Sequence, residues 1–128
     1  MNRWPFSHPT RILAVDDEVG FTRLLKLTAT QYEIRGENDP LRVIDAATEF
    51  EPDLILLDRH MPRMSGDTLA ASIQAHPKLR QIPIAFVTGT VPRDADGHFC
   101  STLNGCPVLA KPVSLEAIDQ CVRECVKA

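Results

Sequence analysis

Chemically active side chains stand directly after four apolar runs in this 128-residue sequence. The residues that follow these runs are Asp16-Asp17-Glu18, Asp58, Thr88-Gly89-Thr90 and Lys111-Pro112. If each run is a strand of a parallel sheet, the carboxyl ends of the strands place all of these side chains at one edge. That edge would then hold several carboxylates, a hydroxyl group and an ammonium group.

This combination favours phosphoryl chemistry at a metal ion. Carboxylates packed closely together raise one another's pKa values unless a cation lies between them. A site whose ligands are all oxygens suits a hard divalent cation, and Mg²⁺ commonly bridges carboxylates and phosphate. Lys111 would add a positive charge for a phosphate oxygen, and Thr88 would add a hydroxyl donor. In-line phosphoryl transfer onto an aspartate requires these groups, because the metal and the ammonium neutralise the developing charge.

Each of these groups has a plainer interpretation when it is taken alone. An Asp at the end of a strand often only caps the next helix, and a Lys-Pro after a strand is usually a turn. A Thr in Val-Thr-Gly is more often structural than catalytic. The functional interpretation rests on their occurrence together, because four strand ends carry complementary groups at the same edge of the sheet.

The elements that must position these groups alternate along the chain. Apolar runs predict strands buried on both faces at 12–15, 54–57, 82–87 and 108–110, and the alternating segment 32–35 predicts an edge strand. Helical spacing and capping residues predict helices over 21–28, 40–50, 66–75 and from Ser114 onward. Another helix, the fourth of five, is expected over 94–104 and should be short or irregular because Gly97 lies in its middle. The predicted fold class is α/β, with a five-stranded parallel sheet flanked by five helices.

Composition indicates one ordinary globular domain. Residues 1–10 are expected to form an extended arm before a domain at 11–128. The net charge of −3 and the lack of a Lys/Arg cluster argue against nucleic-acid binding. No apolar run approaches the roughly 18 residues that span a bilayer, so we expect no membrane partner and predict a cytoplasmic location. The cysteines at 100, 106, 121 and 125 match no common zinc pattern. We therefore interpret them as reduced thiols that pack in the interior, with metal binding as the weaker alternative.

The motifs around these groups resemble the response-regulator receiver family of two-component signalling, from about residue 11 to residue 127. They are Leu-Ala-Val-Asp16-Asp17-Glu18, Leu-Ile-Leu-Leu-Asp58-Arg-His-Met61-Pro62-Arg-Met-Ser-Gly66, Phe-Val-Thr88-Gly89 and Leu-Ala-Lys111-Pro112. The resemblance implies a flavodoxin-like sheet with strand order 2-1-3-4-5. It also implies a signalling domain rather than an enzyme. A histidine kinase or histidine phosphotransfer protein would phosphorylate it, and an output protein or domain would respond to its conformational switch.

The same resemblance implies a role for each acidic residue of the site. Asp58 is expected to be the phosphoacceptor. Asp17 and Asp58 would bind Mg²⁺ directly, with Mn²⁺ as an alternative, and Asp16 would hold the ion through water. The backbone carbonyl of His60 would complete the protein ligands.

The phosphoryl-binding and switch positions follow in the same way. Lys111 would pair with the phosphoryl group, and its bond to Pro112 is expected to be cis. Thr88 would swing toward that group, and Gly89 would keep the approach open. Val108 departs from the family, which usually has Tyr, Phe or His three residues before the lysine. Because valine cannot fill a ring-sized slot, we predict atypical coupling to the output.

Two further positions are expected to flank the phosphoryl group and tune its lifetime. They are His60 and Thr90, two residues beyond Asp58 and Thr88 respectively. For His60 a solvated loop side chain is the alternative.

Two functions from other classes stay open. An interaction-only pseudo-receiver would keep the fold and lose the phosphoryl chemistry, which Val108 favours and the retained site residues oppose. A Mg²⁺-dependent aspartyl-phosphate phosphohydrolase would need a general acid near its nucleophile and a cap over the site. The chain has His60 rather than an acid two residues beyond Asp58, and no insertion long enough for a cap.

Overall fold

Short strands and helices alternate along the part of the chain that the computed structural model describes, residues 8–91, 93–98 and 101–126. The elements in order are β1 (Arg11–Val15), α1 (Val19–Thr28), β2 (Glu33–Glu37), a 3₁₀ turn (Pro40–Arg42), α2 (Val43–Phe50), β3 (Leu54–Asp58), α3 (Gly66–Ala75), β4 (Ile84–Thr88), β5 (Thr102–Leu103), β6 (Cys106–Ala110) and α4 (Leu115–Cys125). Most of the predicted arm at 1–10 lies outside the described residues, so the division at residue 11 stays a prediction.

The sheet has the strand order β2-β1-β3-β4-β6-β5. The first five strands of this order run parallel, and the short β5 pairs antiparallel with β6. The predicted α/β class and the order 2-1-3-4-5 are confirmed, with β6 in the place of the predicted fifth strand. The register sets Val15 beside Leu57 and Thr88 beside Ala110, so the strands end at nearly the same level.

Alternate residues of the buried strands face two separate apolar layers. On one face, Leu13, Ile55 and Phe86 pack against α2 and α3. On the other face, Ile12 and Leu56 pack against α1 and α4. Helices therefore cover both faces of the sheet, which explains why its central strands read as continuous apolar runs rather than alternating ones.

Capping side chains fix where several of the helices begin. The Asp39 carboxylate accepts a hydrogen bond from the Leu41 backbone amide before the 3₁₀ turn that leads into α2. Ser114 caps α4 in the same manner through the Ala117 amide. Both caps agree with the positions that the sequence predicts.

The predicted helix over 94–104 is wrong for the described residues of that segment, 94–98 and 101–104, which contain no helix. The Asp94 carboxylate instead accepts hydrogen bonds from two backbone amides of its own loop, and Gly97 has a φ of +85°. Asn104 and Gly105 then occupy left-handed backbone conformations, with φ values of 52° and 80°. An Asn-Gly pair in this conformation forms the two-residue turn that joins β5 to β6.

Three thiols lie in the described part of the chain and all three are free. Cys106 and Cys121 are buried among apolar side chains, as the packing interpretation expects, and Cys125 is half-buried. Cys100 lies outside the described residues. No helix among the described residues is long and apolar enough to cross a membrane.

Candidate functional site

Three carboxylates meet at the carboxyl edge of the sheet, as the positions of the strand ends predict. Asp16 and Asp17 follow β1, and Asp58 is the last residue of β3. Each offers an oxygen, and these oxygens all lie within 4.8 Å of one another. Asp16 is fully buried and Asp58 is 5% exposed, whereas Asp17 faces solvent. A cluster of this kind could hold a hard divalent cation, because all of its donors are carboxylate oxygens.

Backbone and amide contacts fix Asp16 in this cluster. Its own amide donates to the Glu37 carbonyl at 3.2 Å, which continues the pairing of β1 with β2 beyond the last strand residue. The Asn38 side-chain amide donates to the Asp16 carbonyl at 2.7 Å, and the Glu18 amide donates to Asp16 Oδ1 at 2.9 Å. The sequence does not predict the contact from Asn38, because that residue follows a strand whose end carries no other chemical signal.

Lys111 brings one positive charge to the acidic cluster. Its Nζ lies 2.6 Å from Asp16 Oδ2, 3.5 Å from Glu18 Oε1 and 3.8 Å from Asp58 Oδ1. Burial alone would lower the pKa of Lys111, but the hydrogen bond to Asp16 and the surrounding carboxylates outweigh it and raise the pKa above its usual value. The ring of Phe21, at the start of α1, lies 4.8 Å from Nζ and provides a cation–π contact. The predicted lysine is therefore in place, and it remains charged at neutral pH.

The charge of Asp58 is only partly balanced. Burial raises its pKa above the ordinary value, and the nearby charges of Asp16 and Asp17 raise it further. The His60 backbone amide, which donates to Asp58 Oδ1 at 3.2 Å, and the charge of Lys111 oppose that rise. Three carboxylates thus face one close ammonium group, and an additional cation would stabilise their charged forms.

Gly66 allows α3 to begin directly against the end of β3. A Cβ atom at this position would lie 2.4 Å from the Asp58 carbonyl oxygen and 2.8 Å from the Arg59 Cα. The Gly66 amide also donates to the Arg59 carbonyl at 2.9 Å. Arg59 and Asp67 then form a two-bond ion pair, at 3.0 and 3.2 Å, across the same loop. The sequence does not predict this pair, because its members are eight positions apart across a loop and neither belongs to a spacing pattern.

The Thr88 hydroxyl is turned toward its own loop. Thr88 is fully buried at the end of β4. Its Oγ1 accepts from the Thr90 amide at 3.0 Å and lies 3.1 Å from the Thr90 carbonyl, to which it donates. The space beside Gly89 is open, with no atom within 4 Å of a Cβ built there. The Lys111 amide donates to the Thr88 carbonyl at 3.0 Å, which ties the lysine to the same strand end.

Replacing Thr88 with valine is expected to loosen this loop without changing the side-chain volume. The Thr90 amide would lose its acceptor, and a hydrogen bond of this type contributes about 1 kcal/mol. We expect amide hydrogen exchange at Thr90 to become roughly fivefold faster, as measured by NMR. Thr88→Ser, which keeps the hydroxyl, should leave the exchange rate close to that of the wild type. An unchanged rate in the valine variant would show that other contacts hold the loop.

The remaining predicted positions lie around this centre. Val108 is half-buried and packs against the apolar layer that α2 and α3 cover, beside Phe86 in the neighbouring strand. The side chains of His60 and Thr90 are exposed. The peptide bond between Lys111 and Pro112 is cis, as the family resemblance implies.

The parallel sheet and its strand order define a flavodoxin-like α/β protein, with an acidic cluster at the carboxyl edge of the sheet. The family model for the response regulator receiver domain matches residues 12–123. The chain therefore belongs to the response regulator receiver domain family.

Two relatives show the range of proteins that contain similar sequences. The chain is 41% identical over 80 residues to the response regulator PleD of Caulobacter vibrioides, a match that covers 61% of this chain and 18% of PleD. It is 28% identical over 110 residues to the polar-differentiation response regulator DivK of Brucella anthropi, covering 84% of this chain and 88% of DivK. The chain thus spans less than a fifth of one relative and most of the other.

Solved structures agree on the fold. The chemotaxis protein CheY4 of Vibrio cholerae superposes with a TM-score of 0.77 at 20% identity, over 92% of this chain and 99% of CheY4. The receiver domain of a signal transduction histidine kinase from Syntrophus aciditrophicus gives a TM-score of 0.69 at 26% identity, over 90% of this chain and 88% of that one.

Proposed function

We propose that this domain accepts a phosphoryl group on Asp58 from a histidine kinase or histidine phosphotransfer protein. The observation that carries the proposal is the position of Asp58, buried beside two other carboxylates with Lys111 Nζ 3.8 Å from its Oδ1. A carboxylate in this setting has a charge partner for the incoming group and little access to bulk water.

The acidic residues also fit the divalent cation that this chemistry requires. We propose that Asp17 and Asp58 bind Mg²⁺, or Mn²⁺, directly, that Asp16 holds it through water, and that the His60 carbonyl contributes. The three carboxylate oxygens within 4.8 Å of one another provide a purely oxygen donor set with excess negative charge. When bound, the cation would neutralise charge on the phosphoryl oxygens in the transition state.

The chain's own residues would carry the transfer as follows. An oxygen of the Asp58 carboxylate attacks phosphorus, the P–N bond to the donor imidazole breaks, and the ring nitrogen leaves with the bonding electrons. Lys111 would keep its charge on the phosphoryl oxygens. Thr88 would release Thr90 and donate its hydroxyl to the phosphoryl group, through the open space beside Gly89. Water later hydrolyses the mixed anhydride and restores the carboxylate.

The response at the far surface is proposed to be atypical. Val108 offers no ring that could move inward behind Thr88, and a loop and a hairpin occupy the described residues between β4 and β6. We expect the movement of Thr88 to act on residues 89–91 directly, which an output protein or domain would then detect. His60 and Thr90, both exposed beside the site, are proposed to set how fast water reaches the phosphoryl group.

Intact mass spectrometry tests the proposal. The protein is incubated with Mg²⁺ and acetyl phosphate, and we expect one phosphoryl adduct in the wild type and none in Asp58→Asn. Asp53→Asn is the matched control, because Asp53 lies just before the amino end of β3, whereas Asp58 lies at its carboxyl end. An adduct that survives in Asp58→Asn would place the acceptor elsewhere.

The same experiment separates the other two functions. Rapid multiple turnover of acetyl phosphate without an accumulating adduct would favour a phosphohydrolase. The absence of both an adduct and beryllofluoride binding would favour an interaction-only pseudo-receiver, the function that Val108 supports.

A further inference from the structure

Two cysteines share one face of α4 near its carboxyl end. Cys125 is the last residue of the helix and Cys121 lies one turn earlier. Their sulfur atoms are 3.9 Å apart. Cys121 is 2% exposed, whereas Cys125 is half-buried and offers a route of access. The phosphoryl chemistry proposed above uses neither thiol, and neither belongs to the acidic cluster.

The separation of the sulfur atoms distinguishes between the ways in which two thiols can be joined. A disulfide needs an S–S bond of about 2.05 Å and Cβ atoms about 3.8 Å apart. Residues four apart on a helix have Cβ atoms about 5–6 Å apart, so a disulfide would require the last turn to unwind. A single pyramidal or tetrahedral centre, with bonds of about 2.3 Å to each sulfur, holds the sulfurs about 3.5–3.8 Å apart. The observed 3.9 Å is close to that range.

The number of available protein ligands limits which kind of atom could bridge the two sulfur atoms. Structural zinc takes four protein ligands. In the described part of the chain, the groups of three metal-ligating side chains close enough to share an ion are the acidic cluster and the exposed loop residues Asp94, Asp96 and His98. Neither group includes Cys121 or Cys125. A linear two-coordinate ion would hold the sulfurs roughly 4.6 Å apart, two bond lengths end to end, which is further than observed.

The surroundings of the pair also favour an uncharged ligand. Val122 and Val126 belong to the same apolar layer as the two cysteines. Burial, together with the neighbouring Cys125, raises the pKa of the Cys121 thiol to about 12, so the thiol is neutral at physiological pH. A hydrated dication would have to lose its water in this apolar environment, whereas a neutral electrophile would not.

We propose that Cys121 and Cys125 form a two-thiol site for a trivalent, thiophilic ligand, of which an organic arsenical is the representative. An arsenic atom that carries one organic substituent needs only two sulfur ligands, which this helix supplies on one face. For an arsine oxide, two As–S bonds form and the As=O bond breaks. The two thiol protons leave with that oxygen as water, and arsenic stays trivalent throughout. The ligand bridges the last turn of α4 without unwinding it.

Intact mass spectrometry with phenylarsine oxide tests this site. The folded wild-type protein is expected to gain one phenylarsenic group per chain. That adduct should resist excess glutathione, a monothiol, and be removed by 2,3-dimercaptopropanol, a dithiol. Cys121→Ala/Cys125→Ala should lose at least nine-tenths of the glutathione-resistant adduct. Cys100→Ala/Cys106→Ala is the matched control, because it removes the chain's other two thiols and should keep the adduct.

A thermal-melting measurement shows whether each variant is folded and whether the ligand stabilises the folded protein. Phenylarsine oxide is expected to raise the melting temperature of the wild type and of Cys100→Ala/Cys106→Ala, because the ligand joins two turns of the folded helix. A glutathione-resistant adduct in Cys121→Ala/Cys125→Ala that melts like the wild type would overturn the proposal. So would labelling of the wild type that occurs only after denaturation.

Discussion

Replacing Lys111 with methionine is expected to change metal binding and phosphoryl binding in opposite directions. The Lys111 ammonium lies 2.6 Å from Asp16 Oδ2 and 3.8 Å from Asp58 Oδ1, so it competes with any cation for these carboxylates. Removing the ammonium removes its repulsion of a bound cation. A repulsion of about 1.4 kcal/mol corresponds to a tenfold difference in affinity. We expect Mg²⁺ to bind at least about tenfold more tightly, as measured by isothermal titration calorimetry.

Phosphoryl transfer in the same variant is expected to fall sharply. The ammonium is the one cationic side chain close to Asp58 among the described residues, and loss of a single charge-stabilising donor typically costs about 100-fold or more in rate. The rate of adduct formation from acetyl phosphate, at saturating Mg²⁺, should therefore drop by at least about 100-fold. Both changes have one cause, the loss of a positive charge that the acidic residues share with the incoming group.

The stability of the variant provides a third readout. Without metal, Asp16 and Asp58 would be left buried without their ammonium partner, at a cost of about 3 kcal/mol or more. We expect a lower urea midpoint in EDTA and recovery of that midpoint when Mg²⁺ is added.

Lys78→Met is the matched control for all three measurements, because Lys78 is exposed and precedes β4 at the opposite edge of the sheet. It should change none of them. If Lys111→Met weakened Mg²⁺ binding and phosphorylation together, the lysine would be a support for the carboxylates rather than a partner of the phosphoryl group.

The positions of the site residues were predictable from the sequence wherever they depend only on the direction of the parallel strands. The central strands are continuous apolar runs, and parallel strands present their carboxyl ends at the same edge. Asp16, Asp58 and Lys111 each stand at or just after such an end, so their meeting followed from topology alone. No distance between side chains was needed for that inference.

Contacts made across elements were not predictable in this way. The ring of Phe21 in α1 reaches Lys111, the residue after β6, only in the folded chain. Its spacing in the sequence predicted an apolar helix face shared with Leu24, Leu25 and Thr28. That face is only partly right, because Leu25 is buried whereas Leu24 and Thr28 are exposed. The ion pair between Arg59 and Asp67 depends likewise on the path of one loop.

The predicted helix over 94–104 is wrong for a different reason, because a local turn preference outweighs the helical spacing there. Asn104-Gly105 is a strong sequence indicator of a two-residue hairpin turn, and it lies between the short segments that become β5 and β6. The helical interpretation relied on a few apolar residues with helical spacing around Gly97. The positive φ values of Gly97, Asn104 and Gly105 show which preference prevailed.

Replacing Gly66 with alanine is expected to be among the most destabilising small substitutions in the chain. The new Cβ would lie 2.4 Å from the Asp58 carbonyl oxygen and 2.8 Å from the Arg59 Cα. Both are backbone atoms, so relief requires α3 to move away from β3 or its first turn to unwind. We expect a loss of about 3 kcal/mol in the free energy of unfolding, measured by urea denaturation, which is the upper range for overpacking.

Gly20→Ala is the matched control, since Gly20 also lies in the first turn of a helix and no atom comes within 4 Å of a Cβ there. Alanine favours helix by up to about 1 kcal/mol over glycine, so this variant should be slightly more stable than the wild type. Similar losses in both variants would mean that the helices, rather than the contact with β3, explain the effect. Because the clash in Gly66→Ala falls on the Asp58 backbone, the folded fraction of that variant should also give a slower phosphoryl adduct, whereas Gly20→Ala should not. The glycine of α3 would then be required both for the packing of this helix and for the position of the acceptor carboxylate.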